Sequence, residues 1–163
     1  METSGLVYLD KPEDERAAQL LQYWHDKRGA KALPDRADIH PPEIPHLLPY
    51  ILLADPVEGG EDFRIRLFGT ALVELMQEER TGKLISQIGL GPLTVAPKTV
   101  RSRWLEITRK AFLEVRPVLC KTQMSSSRRN YITVHGISLP LTRTGNVPEV
   151  LLGGIFPEMD ETA

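Results

Sequence analysis

Hydrophobic periodicity in this chain switches from helical to alternating, back to helical, and to alternating again, and that order restricts the fold more than any single motif. The first helical stretch begins at Asp10, which can cap a first turn, with Pro12 early in that turn and Glu13 completing a D-x-x-E box. Ala17, Leu20, Leu21 and Trp24 then fall on one face, and Gly29 is a natural stop. Residues 50–57 and 63–68 read as two strands around a Glu58-Gly59-Gly60 turn. In the second, Phe63, Ile65 and Leu67 face one way while Arg64, Arg66 and Phe68 face the other. Thr70 can cap a helix over 71–79, a shorter helical piece follows at 83–88, and residues 89–92 break the pattern. The longest helical arc runs over 94–115, with Pro97 tolerable in its first turn and Val100, Trp104, Ile107, Ala111, Phe112 and Val115 on its apolar side. Three more strands are expected at 117–124, 131–142 and 147–156, joined by short polar connections.

Strands joined this closely pair as antiparallel neighbours, because a parallel pair needs a long crossover. The expected class is therefore α+β: a five-stranded antiparallel sheet covered by helices on one face, with the other face more exposed. The first helix carries too little apolar surface to stand alone, so its stripe must be buried against the domain or against a second copy. Residues 33–49 contain five prolines, which remove donors and fix φ. They predict an ordered, turn-rich wrap, with one helical turn at 43–48 and with Ile39, Ile44, Leu47 and Leu48 packed inward. The organisation expected is a flexible N-terminus over 1–9, one domain over 10–157 and a tail over 158–163.

Composition excludes several classes. At 163 residues with 41% apolar content, the chain can fill one core without disulfides or metal. A net charge of -2 disfavours general nucleic-acid binding. Cys120 is the single cysteine, so no internal disulfide or thiolate zinc site can form. No stretch has the length of a membrane span, and the first residues lack a signal-peptide pattern, so a cytoplasmic protein is expected. Phosphate-cradling glycine motifs, a G-x-S-x-G elbow and H-E-x-x-H are all absent. His40 and His46 flank PPEIP without an assured third ligand, so no metal is expected.

Particular stretches carry a family resemblance: YWHDKRG at 23–29, LPDRADIHP at 33–41, IPHLLPYILLAD at 44–55, FRIRLFGTALVEL at 63–75 and TGK at 81–83. LPL at 139–141 and LLGGI at 151–155 join them. Over residues 19–155 the chain resembles a PAS-like family of mostly bacterial, often stand-alone domains. The resemblance implies a five-stranded PAS sheet, a long helix across it and a small cavity between. It also implies a sensory or regulatory role in which a small ligand is bound and the signal passes by protein contact. Relatives bind haem, flavin or metabolites, or mediate dimerisation. The helix over 94–115 has no histidine for haem, and residues 70–88 have no cysteine for flavin photochemistry. A noncovalent small metabolite is the remaining cofactor class.

The candidate pocket residues are Arg101, Trp104 and Thr108 on the long helix, with Tyr131, Thr133 and His135 sharing one face of a predicted strand. Arg101 projecting among apolar positions could hold a ligand carboxylate through a bidentate bond, or could reach the surface or an internal acid. Trp104 could wall a cavity or pack in the core. Ala17, Leu20, Leu21 and Trp24 are the candidate homodimer contact, and a signalling protein partner is the other expected recipient of output. A contact module without ligand is the alternative. A small enzyme is a third reading, with Arg101 orienting an anion and His135 acting as base. It requires those two side chains to converge on one cleft.

Overall fold

A computed structural model of the chain describes residues 5–91, 96–125, 131–145 and 147–158. Its elements in chain order are β1 (Val7–Leu9), α1 (Glu15–Arg28), β2 (Ile51–Val57), β3 (Asp62–Phe68), α2 (Thr70–Met76), α3 (Pro97–Glu114), β4 (Val118–Ser125), β5 (Tyr131–Leu141) and β6 (Val150–Pro157). The strands form one six-stranded sheet in the order β1-β4-β5-β6-β2-β3, and every neighbouring pair is antiparallel.

The α+β class and the antiparallel sheet agree with the sequence, and the sixth strand is an addition to it. Val7–Leu9, expected within a flexible terminus, pairs in register with Leu119–Lys121. That placement also explains why the first helix starts late. Residues 10–13 are spent carrying the chain off the sheet edge, where Glu13 meets Lys121 at 3.0 Å. Asp14, and not Asp10, is the cap: its carboxylate accepts from the amides of Arg16 and Ala17 at 2.9 and 3.1 Å.

Helices lie on both faces of the sheet, against the expectation of one exposed face. On one face α1 and the proline-rich segment bury Ala17, Leu20, Trp24, Leu33, Ile39, Ile44 and Leu47 against inward residues of β2, β5 and β6. On the other, α2 and α3 bury Leu72, Met76, Ile107 and Ala111 against Ala54, Phe63, Ile65, Val134, Leu151 and Ile155. Every residue from Val134 to Leu141 and from Val150 to Phe156 is consequently buried, so the two central strands have no wet side. The alternation legible in β5 and β6 thus separates two cores, not a core from solvent.

The proline-rich wrap is ordered as expected but built differently, from short 3₁₀ turns at Arg36–Asp38, Pro41–Glu43 and Leu48–Tyr50 in place of one turn at 43–48. Backbone donors of the wrap tie it to its surroundings: Arg36 N donates to Thr142 O at 2.7 Å, and His40 N donates to the Tyr23 hydroxyl at 2.9 Å. Trp24 Nε1 donates to Pro140 O at 2.9 Å, which pins α1 to β5.

Two local expectations fail for identifiable reasons. In β3 a bulge skips Arg66, so Leu53 pairs Leu67 while Ala54 pairs Ile65. The extra residue inverts the alternation, and Phe63, Ile65 and Phe68 are buried together while Leu67 is exposed. The helix expected over 71–79 ends at Met76, because Gln77 turns left-handed at φ 52°. Residues 83–88 hold only the 3₁₀ turn Ile85–Gln87. The start of the long helix at 94 lies outside the described residues; from Pro97 onward it agrees.

Candidate functional site

The face under α3 is where chemistry concentrates, and the sequence located only half of it. Buried residues of α3 are Arg103, Ile107, Thr108 and Ala111, so the arc facing the sheet is centred on 103, 107 and 111. Arg103 heads this arc at 8% exposure and was not among the residues the sequence singled out. Arg101, the expected inward arginine, is half-buried at the rim and donates to Ile88 O at 3.1 Å. It therefore serves as a tie between α3 and the segment after the Ile85–Gln87 turn. Thr108 is buried, but its hydroxyl donates back to the carbonyl of Trp104 at 2.9 Å.

Trp104 lies against Gly136 of β5, whose missing side chain makes room chiefly for Cys120: a Cβ there would sit 2.9 Å from Cys120 Sγ and in ordinary contact, at 3.5 Å, with the indole. Trp104, Cys120 and Gly136 thus meet, with Arg103 beside them donating to Gln123 O at 3.0 Å. Burial pushes the Cys120 thiol up to about 12, against smaller opposing effects of the Gly136 amide and Arg103. Such a buried thiol stays protonated at neutral pH and packs as a small apolar group. Burial also pulls Arg103 below its usual range. Thr122, next inward-facing residue along β4, is buried with its hydroxyl unpartnered among the described residues.

The strand half of the predicted pocket points the other way. Tyr131, Thr133 and His135 share parity with Ile137 and Leu139, which belong to the core under α1, while Gly136 touches Trp104. The sheet therefore stands between His135 and Arg101, which removes the acid-base pair of the enzyme reading. Tyr131 is exposed, and Thr133 O accepts from Glu158 N at 2.8 Å. His135 is buried with Nε2 3.0 Å from Glu158 Oε2, and its Nδ1 has no partner among the described residues. These contacts moor the residue after β6, which the sequence had assigned to a tail.

The dimer stripe is also resolved within the chain: Ala17, Leu20 and Trp24 are buried in the core under α1, and Leu21 packs beside it. The face expected between subunits is covered by the protein's own sheet.

The feature most completely missed is an internal ion pair. Glu78 and Arg80 follow α2 and are buried; Glu78 accepts from Arg80 Nε at 2.9 Å, from Lys83 Nζ at 3.3 Å, and from the amides of Gly89 and Leu90 at 3.1 Å each. Burial alone would raise the Glu78 carboxyl, yet the amide of Leu90 and the Arg80 guanidinium outweigh it and hold it below the usual glutamate range. Arg80 also lies over the Phe68 ring at 5.7 Å. The pair thereby fastens the connection between α2 and α3 to the end of β3. An E-x-R triplet before TGK carries no sequence signal for burial.

The family described as "PAS domain" matches residues 13–156. The chain belongs to the PAS domain family. PAS domains are sensory and regulatory modules, and that general role comes with the family. Among solved structures, one of RsLOV is 12% identical with a TM-score of 0.48, over 74% of this chain and 68% of that one. A sensory box histidine kinase/response regulator from Burkholderia thailandensis is 12% identical with a TM-score of 0.41, over 73% of this chain and 83% of that one. No curated protein matches. No helix among the described residues is long and apolar enough to cross a membrane.

Proposed function

We propose that this PAS domain is a regulatory module that takes a small metabolite on the α3 side of its sheet, beside Trp104, Cys120, Thr122 and Gly136, and signals by protein contact. The observation that carries the reading is the Thr122 hydroxyl, a buried polar atom without a partner on the face where an aromatic wall and a side-chain-free strand position also meet. A buried hydroxyl left unpaired is unfavourable by about 1–3 kcal/mol. A ligand carrying one hydrogen-bonding group beside an apolar body would satisfy it. The buried thiol and the confined guanidinium supply shape and polarity in place of reactivity, so the reading is binding without turnover.

The test is mass spectrometry of freshly purified protein under native and denaturing conditions, with Thr122→Val as the isosteric control. A small molecule retained by wild type and lost from T122V supports the reading. Protein that carries nothing, and that no member of a metabolite panel stabilises, sinks it in favour of a contact module without ligand.

A further inference from the structure

The connection from α2 to α3 is held by different means along its length. Residues 82–86 are fastened to β3: Ile65 N donates to Lys83 O at 2.9 Å, Gly82 N donates to Ile65 O at 2.7 Å, Arg64 and Leu84 form an antiparallel bridge, and Ser86 N donates to Asp62 Oδ1 at 3.3 Å. Residues 88–91 have no strand partner among the described residues. They hang on two side chains. Glu78 accepts from the amides of Gly89 and Leu90 at 3.1 Å each, and Arg101 of α3 donates to Ile88 O at 3.1 Å.

Arg101 stands one helical turn before Trp104, so the second tie sets Ile88 at the Trp104 end of the core under α3, and Ile88 is buried in the same cluster as Cys120. The segment fits closely there, yet little holds it down. At Gly91 a Cβ would lie 2.6 Å from Met76 O at the end of α2, and Gly89 turns at φ 93°, where any side chain is strained. Leu90 is already 70% exposed, so Ile88 alone brings a large buried side chain. A stretch with one apolar anchor and two side-chain ties belongs to the low-stability end of a fold.

We propose that residues 88–91 are a cover on the α3-side site and that Glu78 is its catch, so that a small molecule enters and leaves beneath this segment. The catch joins a movable part to a fixed one through both of its oxygens. Oε1 accepts from Arg80 Nε and the Gly89 amide, and Oε2 accepts from Lys83 Nζ and the Leu90 amide. All four neighbours donate, and only a carboxylate answers them with acceptors alone; a glutamine would turn its own N–H groups toward two of them. The Glu78 carboxyl lies below the usual glutamate range, so the catch stays charged at neutral pH and the cover opens by fluctuation, not by protonation. The inference rests on the reading of the α3 side as a binding site, and it gives that site its way in.

Cys120 reports on the cover whatever the ligand is: it is the single cysteine, buried beside Gly136 and Trp104, and reacts only when solvent reaches it. The experiment treats the full chain with methyl methanethiosulfonate and follows labelling by mass at zero and low urea, for wild type, Glu78→Gln, Arg101→Met and Leu20→Ala. E78Q and R101M are expected to label about tenfold or more faster than wild type, at rates that low urea leaves unchanged, the mark of local opening. L20A, which weakens the core on the opposite face, is expected to label faster only with the steep urea dependence of global unfolding. Should E78Q fail to fold, R101M carries the same expectation from the rim. Wild-type labelling rates in the folded variants, or labelling that follows global stability in all of them, overturns the proposal. Native mass of unlabelled wild type reports separately on the site: protein that retains nothing sinks the binding reading, while urea-independent labelling of E78Q and R101M still supports the cover.

Discussion

Leu20→Ala tests whether α1 belongs to the fold of its own chain. Leu20 is fully buried, and its Cδ2 fills the space above Gly154, where a Cβ would come within 2.9 Å. Truncation leaves a void over a residue with no side chain to collapse into it, so the loss should sit well inside the usual Leu→Ala range of about 2–5 kcal/mol, at about 3–4 kcal/mol. Against a typical total of about 5–15 kcal/mol, that is a large share of stability. Urea unfolding followed by tryptophan fluorescence is a suitable assay, because Trp24 lies one turn along the same buried face. The midpoint should fall while the slope is unchanged, and the fall should be the same at well separated protein concentrations. A loss below about 1 kcal/mol would mean that the helix is not packed as described. A fall that shrinks as protein concentration rises would mean that α1 is covered by another subunit, and the intramolecular account would fail.

Gly69→Ala should be among the most damaging single changes. Its backbone angles are ordinary, but a Cβ would overlap the carbonyl of Pro49, and thermal unfolding should show a loss of about 3 kcal/mol or more. Glu78→Gln should lower stability at neutral pH by about 3 kcal/mol, since Arg80 and Lys83 lose their buried counter-charge. Because the folded Glu78 carboxyl lies below its unfolded value, its contribution is complete above the ordinary glutamate range and disappears as pH falls through the folded value. E78Q should therefore flatten the acid limb of a stability-against-pH curve; an unaltered limb would assign acid sensitivity elsewhere. Val115→Gly should raise the melting temperature slightly: relief of left-handed strain of about 1–2 kcal/mol exceeds the added unfolded-state freedom of about 0.5–1 kcal/mol. A lower melting temperature would show that the Val115 side chain supports the fold.

Much of the architecture was legible because it rests on period. The helical arc through Trp104, Ile107 and Ala111 and the alternation through Val134 to Leu141 survive folding as written. What period cannot reveal is how many faces are covered. In β5, Ile137 and Leu139 alternate with Gly136, Ser138 and Pro140, a pattern equally suited to one wet face, and only α1 folding back over the sheet makes the small residues interior. Strand parity likewise put Tyr131, Thr133 and His135 together correctly but gave no means of choosing a side. Arg101 and Arg103 lie on opposite sides of Trp104, about 60° one way and about 100° the other, so moving the arc's centre from Trp104 to Ile107 exchanges rim for interior. The β3 bulge and the Glu78 clamp depend on tertiary partners, Ala54 in one case and the Gly89 and Leu90 amides in the other, and no local pattern announces them.

Gly136 and His135 are consecutive in β5, yet one supports Trp104 and the other moors Glu158 on the reverse side. The Trp104 contact and the mooring of Glu158 thus lie on opposite faces, separated by a single peptide unit. Close-packed strands yield little to compression. Displacing the indole toward the sheet would therefore press on the peptide that carries His135, without any domain-scale motion.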